Sequence, residues 1–291
     1  MEVNRIICGD NVEVMKGMPD ACLDMTCQSP PYGGIRLYQG YSFRFRETAE
    51  QLFRVMKPGA VCVWVCGDTV ERGFKTADPF KQVLGFREVG FDLYDTMIYE
   101  RTGTSFPTKA RYTQCFDFMF IFSKGKPKTI NLIRDVPKRW QGAWGSTTQR
   151  QKDGSLKPSN AKNNGMGKSG PAVGAEYGYR ARDTIWKICN GAGFGHTDEL
   201  AKQHPASYPE ELARGHIETW SLPGEFVADV FNGSGTTTKM AKLLGRQYIG
   251  IDCAAEYCAI AEARLKLVEG KELHEEKTKE EPISVQADSV D

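Results

Sequence analysis

The chain lacks any long apolar run. Nothing in its 291 residues is long enough to cross a bilayer, and no N-terminal segment resembles a secretory leader. The nine cysteines show no metal-ligand spacing. Cys62 and Cys66 fall on one face of an apolar strand-like run, so the cysteines read as reduced structural thiols of a cytosolic protein. No internal repeat is visible. The Gly-rich turn at 232–235 does not complete a Gly-x-Gly-x-x-Gly, because Thr238 stands where the third glycine would be. That weakens a pyrophosphate-binding reading and favours a nucleoside ligand without phosphates.

What is present alternates. Strand-like runs recur at 5–8, 22–27, 60–66, 93–100, 114–122, 226–231 and 248–251. Helical patterns intervene at 47–56, 209–217, 236–244 and 254–268. This order predicts an α/β fold built on a Rossmann-like, doubly wound sheet. No helical pattern separates 93–100 from 114–122, which predicts a terminal antiparallel hairpin at one edge.

Two segments carry chemistry. Ser29-Pro30-Pro31-Tyr32 follows the second strand-like run. Two prolines fix φ twice and remove two backbone donors, and Ser29 is pushed towards extended backbone. The result is a stiff loop at the carboxyl end of a strand, with a hydroxyl, free carbonyls and an aromatic face. It suits a flat ring bearing an amino group; read blandly, it is a Pro-rich turn. The second segment runs from Phe226 to Asp252 as strand, Gly-rich turn, helix, strand and terminal acid. Gly233 and Gly235 let the backbone approach a ligand. Asp252 lies 19 positions after Gly233, near the ~20 expected of a ribose-binding acid.

The net charge of +1 hides a separation. Residues 124–187 hold 14 Lys or Arg against four Asp or Glu, a net +10, and leave the remainder at −9. The same segment contains Trp140, Trp144 and Trp186 and is rich in Gly, Ser, Asn and Gln. Basic charge with aromatics and amides suits gripping phosphates and reading base edges. The alternative is a solvated insertion. Residues 269–291, with eight acids and three lysines, read as an acidic flexible tail.

Together these motifs resemble the β-class amino-DNA methyltransferases, the cytosine-N4 and adenine-N6 family, over most of residues 4–267. In that order the catalytic tetrapeptide comes first and the cofactor glycines last. Ile6–Asp10 resembles the strand whose acid contacts the cofactor adenine, and 56–65 the helix–turn–strand after the catalytic loop. Phe116–Lys124 resembles the later aromatic strand, and His204–Pro209 the loop around the methionine end of the cofactor. The resemblance implies S-adenosyl-L-methionine as cofactor and double-stranded DNA as partner. It implies four parts: a catalytic half at 1–123, a basic target-recognition insertion at 124–195, a cofactor-binding half at 196–268 and the tail. A homodimer and a partner restriction endonuclease are both compatible with it.

On the same resemblance Ser29, Pro30, Pro31 and Tyr32 are catalytic. Asp10, His204, Pro205, Ala206, Ser207, Asp229, Phe231, Asn232, Gly233, Ser234, Gly235, Thr236 and Asp252 bind the cofactor. Lys138, Arg139, Arg150, Lys152, Arg180 and Arg182 contact DNA, with Asn163, Asn164 and Gln149 as candidates for reading adenine. An exocyclic amino group is a poor nucleophile because its lone pair is delocalised into the ring. Acceptors from Ser29 and Pro30 would localise that pair while Tyr32 stacks on a base turned out of the duplex. Family members acting on cytosine N4 usually carry Ser at the first position and those acting on adenine N6 Asp or Asn, so Ser29 favours cytosine and leaves adenine open. No Pro-Cys dipeptide occurs, which disfavours attack on cytosine carbon 5. A DNA-binding protein that keeps the pocket without catalysis is a third reading.

Overall fold

The computed structural model describes residues 2–32, 43–102, 110–137, 148–158, 178–189 and 195–269. The chain order is β1 (Arg5–Cys8), α1 (Asn11–Lys16), β2 (Leu23–Gln28), α2 (Phe45–Val55), β3 (Met56–Cys66), β4 (Val70–Glu71), β5 (Phe74–Lys75), α3 (Asp78–Val89), β6 (Asp92–Arg101) and β7 (Phe116–Ser123). It continues with β8 (Arg134–Pro137), β9 (Thr148–Arg150), β10 (Leu156–Pro158), β11 (Tyr179–Ala181), β12 (Ile185–Ile188), α4 (Glu210–Trp220), β13 (Phe226–Asp229), α5 (Thr236–Leu243), β14 (Gln247–Asp252) and α6 (Ala255–Lys266).

Eight strands form one sheet in the order β1-β14-β13-β2-β3-β7-β6-β12. The first five are parallel, and β7 runs antiparallel to both β3 and β6. All six residues of β2 are buried, as expected of a strand covered on both faces. Helix α2 buries Ala49, Leu52 and Val55 at helical spacing, and Trp64, Phe86, Phe91 and Phe122 fill the same core. The chain winds outward one way through β2-α2-β3 and the other way through β13-α5-β14. The switch point therefore lies between β2 and β13, where an open α/β sheet leaves a crevice beyond its carboxyl ends.

The doubly wound sheet and the antiparallel pair match the sequence reading, with four differences. The hairpin β6-β7 is not the edge, because β12 lies outside β6. Trp186 and Ile188 of that short strand are buried, so Trp186 is not an exposed aromatic of the basic segment. Helices α1 and α3 were not expected: α1 has six residues, and α3 leaves Phe80 and Leu84 exposed, blurring its apolar stripe. No separate turn divides α2 from β3. The strand begins at Met56 and absorbs an irregularity, its register on β2 jumping from Leu23–Met56 to Met25–Val61. Gly59 takes φ +79 within it. The strand expected to reach Phe231 ends at Asp229, releasing Val230 and Phe231 into the crevice.

The chain divides into two compact units, one comprising residues to Asn131 and from Lys187, the other Leu132–Trp186. The second is narrower than the insertion expected at 124–195. Residues 124–131 belong to the first because Lys124 donates to the carbonyls of Phe53 and Met56, and Lys128 Nζ sits 2.6 Å from the buried Asp24 carboxylate. Within the second unit β8 pairs with β11 and β9 with β10, both antiparallel.

Candidate active site

Because β1, β2, β3, β13 and β14 are parallel, their following loops emerge at one end of the sheet. Antiparallel β7 begins there and β6 ends there. These segments enclose a cavity of about 520 Å³, within the usual range for a small-molecule site. Ser29, Pro30, Pro31 and Tyr32 line it, as do His204, Pro205, Ala206, Ser207, Phe231, Asn232, Gly233, Ser234, Thr236 and Asp252. Two motifs some 200 positions apart in the chain thus meet in one chamber.

At the tetrapeptide, Pro30 is buried and Ser29 Oγ donates to Tyr32 Oη at 3.2 Å. Burial pushes the Tyr32 phenol well above its ordinary range, with the nearby Asp117 carboxylate adding to the shift. At the Gly-rich turn, Gly233 and Gly235 take φ +48 and +78. A Cβ on Gly235 would come 2.7 Å from Ala261 Cβ, so this glycine lets α6 close on the turn and does not line the cavity. Asp252 accepts from Gly233 N at 2.8 Å and Ala254 N at 2.9 Å. The acid read from spacing as a ribose ligand therefore also clamps the turn. Burial raises its carboxyl against those two hydrogen bonds. Asn232 packs so closely on β14 that a Cβ on Gly250 would lie 2.5 Å from its Cγ, and its buried Nδ2 has no protein partner among the described residues.

Besides Gly235, two expected cofactor residues, Asp10 and Asp229, do not line the cavity. Asp10 caps α1 through Val12 N and Glu13 N and is ion-paired with Arg44, while its neighbours Gly9 and Asn11 line the cavity. Asp229 lies beneath the floor, 1 % exposed, accepting from Phe231 N at 2.9 Å and from Tyr208 Oη at 3.0 Å. Burial pushes it up to about 7. Tyr208 also contacts Thr237 Oγ1, which donates to Cys27 O at 2.9 Å. This chain of hydrogen bonds ties the residues before Ser29 to helix α5.

The sequence reading missed a buried ionic cluster behind the turn. Lys239 Nζ lies 2.7 Å from Thr197 Oγ1, Asp198 Oδ2 and Glu210 Oε1 alike. Arg264, with a fully buried side chain, donates to Asp198, to Ser234 O at 2.8 Å and to Glu210 Oε1 at 2.6 Å. Burial alone would raise the Glu210 carboxyl, but the neighbouring His196 ring and hydrogen bonds from Lys239 and Thr197 hold it at about 2. His196 Nε2 and Ser207 Oγ are 2.8 Å apart, which extends the cluster to the 204–208 loop. Lysine and arginine on short helices read as solvent-facing by default, so only the spacing of two acids and two bases across α4, α5, α6 and the loop before α4 could have revealed it.

Of the expected DNA contacts, Arg180 is ion-paired with Asp183, and Arg182 with Asp135 while its guanidinium sits over Trp186. Contact with phosphate would have to exchange those partners. Arg150 and Lys152 are exposed at the β9-β10 hairpin, with Arg150 Nη1 donating to Gly154 O. Lys138, Arg139, Asn163, Asn164, the Gln149 side chain and residues 270–291 of the tail lie outside the described residues.

The family model described as DNA methylase matches residues 23–263. The orphan methyltransferase M.BamHII of Bacillus amyloliquefaciens is 49% identical over 249 residues, spanning 85% of this chain and 90% of its own. Among solved structures, the PvuII DNA methyltransferase, cytosine-N4-specific, superposes with a TM-score of 0.63 at 18% identity, covering 91% of this chain and 86% of that one. TTHA0409 of Thermus thermophilus, complexed with S-adenosyl-L-methionine, does so with a TM-score of 0.58 at 22% identity, covering 92% and 97%. The two structures speak for the fold; the matched span of 23–263 and the 49% relative carry more, and by them the chain belongs to the DNA methylase family.

Proposed function

We propose that the protein methylates the exocyclic N4 amino group of cytosine in duplex DNA, using S-adenosyl-L-methionine and a base turned out of the helix. The observation that carries this reading is that the Ser29–Tyr32 loop and the 231–236 turn line one cavity.

The cavity fits the cofactor. The buried Asn232 Nδ2 offers an unused donor, Asp252 retains lone pairs for hydroxyls, and Gly233 leaves its backbone bare beside the His204 ring. The 204–207 loop, with His204 edge-on to Tyr257 at 4.3 Å, supplies another wall. Bound there, S-adenosyl-L-methionine supplies an electrophilic sulfonium methyl group. The chain's own part is to prepare the nucleophile. The Pro30 carbonyl and Ser29 Oγ accept the amino hydrogens and localise the nitrogen lone pair, while Tyr32 stacks on the base. Ser29 Oγ spends its own hydrogen on Tyr32 and keeps its lone pairs for this task. Transfer then needs alignment and preorganised acceptors, not a covalent enzyme intermediate.

Serine rather than a carboxylate at residue 29 supports cytosine. Methylated DNA digested to nucleosides and weighed by mass spectrometry tests it. N4-methyldeoxycytidine is expected; N6-methyldeoxyadenosine alone would move the assignment to adenine, and tight DNA binding without transfer of labelled methyl would move it to a non-catalytic protein. Asp252→Ala is expected to weaken cofactor binding at least about tenfold by calorimetric titration, through loss of both the hydroxyl acceptor and the clamp on Gly233. Unchanged affinity would remove Asp252 from the cofactor site.

A further inference from the structure

Strand β6 ends in the cavity wall. Tyr99 and Arg101 are two residues apart on it, so both side chains project to one face, and both line the cavity. Asp117 of β7 lies directly across the ladder from Tyr99 and lines the same wall. The two donors among them are unsatisfied. Tyr99 is 3% exposed, yet its buried hydroxyl makes no hydrogen bond among the described residues. The buried Arg101 Nε makes none either. Its nearest acid, Asp117 Oδ2, stands 3.8 Å away, close enough to balance charge and too far to accept a proton. The rest of the guanidinium is anchored, Nη2 donating to Gln114 O at 2.9 Å.

Burying a donor without a partner is costly, so two on one wall mark where a ligand's acceptors belong. The wall adjoins Tyr32. A Cβ on Gly67 would come 2.6 Å from Asp117 Oδ1 and 3.0 Å from Tyr32 Cε2, so the carboxylate and the stacking ring flank the same bare glycine.

The two candidate bases differ along the edge such a wall would face. Beside its amino group cytosine presents two acceptors in a row, N3 and O2. Adenine presents one, N1, followed by C2–H. We propose that Tyr99 and Arg101 are the base-selecting residues: their Oη–H and Nε–H donate to N3 and O2 of the extruded cytosine, and Asp117 holds the guanidinium in place. Adenine would leave one desolvated donor facing a carbon. The assignment rests on the cytosine reading above and extends it from the amino group to the rest of the base edge.

The test uses the full chain with Tyr99→Phe and Arg101→Met. Duplexes carry the mapped target cytosine or adenine in its place, and both methylated nucleosides are quantified under single turnover. Both variants are expected to lose about tenfold or more in cytosine methylation with cofactor affinity unchanged; Arg101→Met, which removes the donor facing O2, narrows the cytosine-to-adenine ratio by a similar factor, whereas Tyr99→Phe, whose donor meets N3 or N1 alike, lowers both rates and leaves the ratio nearly unchanged. Should Arg101→Met fold poorly, Arg101→Lys, which keeps a charge beside Asp117 and loses the Nε donor, takes its place for the base ratio, and Tyr99→Phe, which removes one oxygen that bonds to no described protein group, still tests the rate. Unaltered rate and base ratio in the variants, with the wild type still forming N4-methylcytosine, would overturn the selecting wall and leave the cytosine reading intact. A wild type that forms only N6-methyladenine would overturn the cytosine reading, and the wall with it.

Discussion

Arg264→Met is expected to cost about 3–5 kcal/mol of stability, the range for removing one partner from a buried ionic cluster. The side chain is fully buried and serves Asp198, Ser234 O and Glu210 at once. Methionine would fill much of the space but leave two buried carboxylates sharing the single ammonium of Lys239. Equilibrium urea unfolding, read as the midpoint shift at constant slope, measures the loss. Arg264→Lys, which keeps the charge but loses the fork, should fall between wild type and Met. A Met variant within about 1 kcal/mol of wild type would mean that the cluster adds nothing beyond packing.

Tyr32→Ala is expected to lower methylation, as kcat/KM on duplex DNA, by roughly 5- to 150-fold, which is what losing a stacking contact of about 1–3 kcal/mol does to a barrier. Affinity for the duplex, measured by fluorescence anisotropy, should change little, because phosphate contacts dominate it. Tyr32→Phe separates the ring from its hydroxyl. It keeps the stacking face and loses only the contact from Ser29 Oγ, so it should retain most activity. Equal losses in catalysis and binding for the alanine variant would argue that the ring holds the loop rather than the base.

The parts of this molecule legible in its sequence are those whose signal is local. The Ser-Pro-Pro-Tyr loop is stiff wherever it occurs, and the strand, paired glycines, helix and acid of residues 226–252 announce a βαβ unit by themselves. Parallel strands buried on both faces read as continuous apolar runs, as β3 and β13 do. What escaped notice depends on partners far off in the chain. Ile185–Ile188 is a strand because it finds β6, not because of composition, and a basic neighbourhood disguised it. Lys239 and Arg264 are buried because Asp198 and Glu210 await them. Asp10 and Asp229 sit beside the cavity in sequence, yet a helix cap and a buried tyrosine take their carboxylates. Tyr99 and Arg101 belong to no motif; only the antiparallel turn of the sheet brings them to the cavity.

The strand order has a consequence for synthesis on the ribosome. The second strand is flanked by the third, made soon after it, and by β13, made some 200 residues later. Until β13 emerges, β2 has a bare parallel edge, and the hydrogen bonds from Thr237 Oγ1 to Cys27 O and from Phe226 N to Asp24 cannot form. The separation of 210 residues across the first of these makes closure a late event, with loop-closure entropy against it. A nascent chain that carries the tetrapeptide but not yet β13 therefore presents an unpaired strand edge, the kind of surface that favours edge-to-edge association.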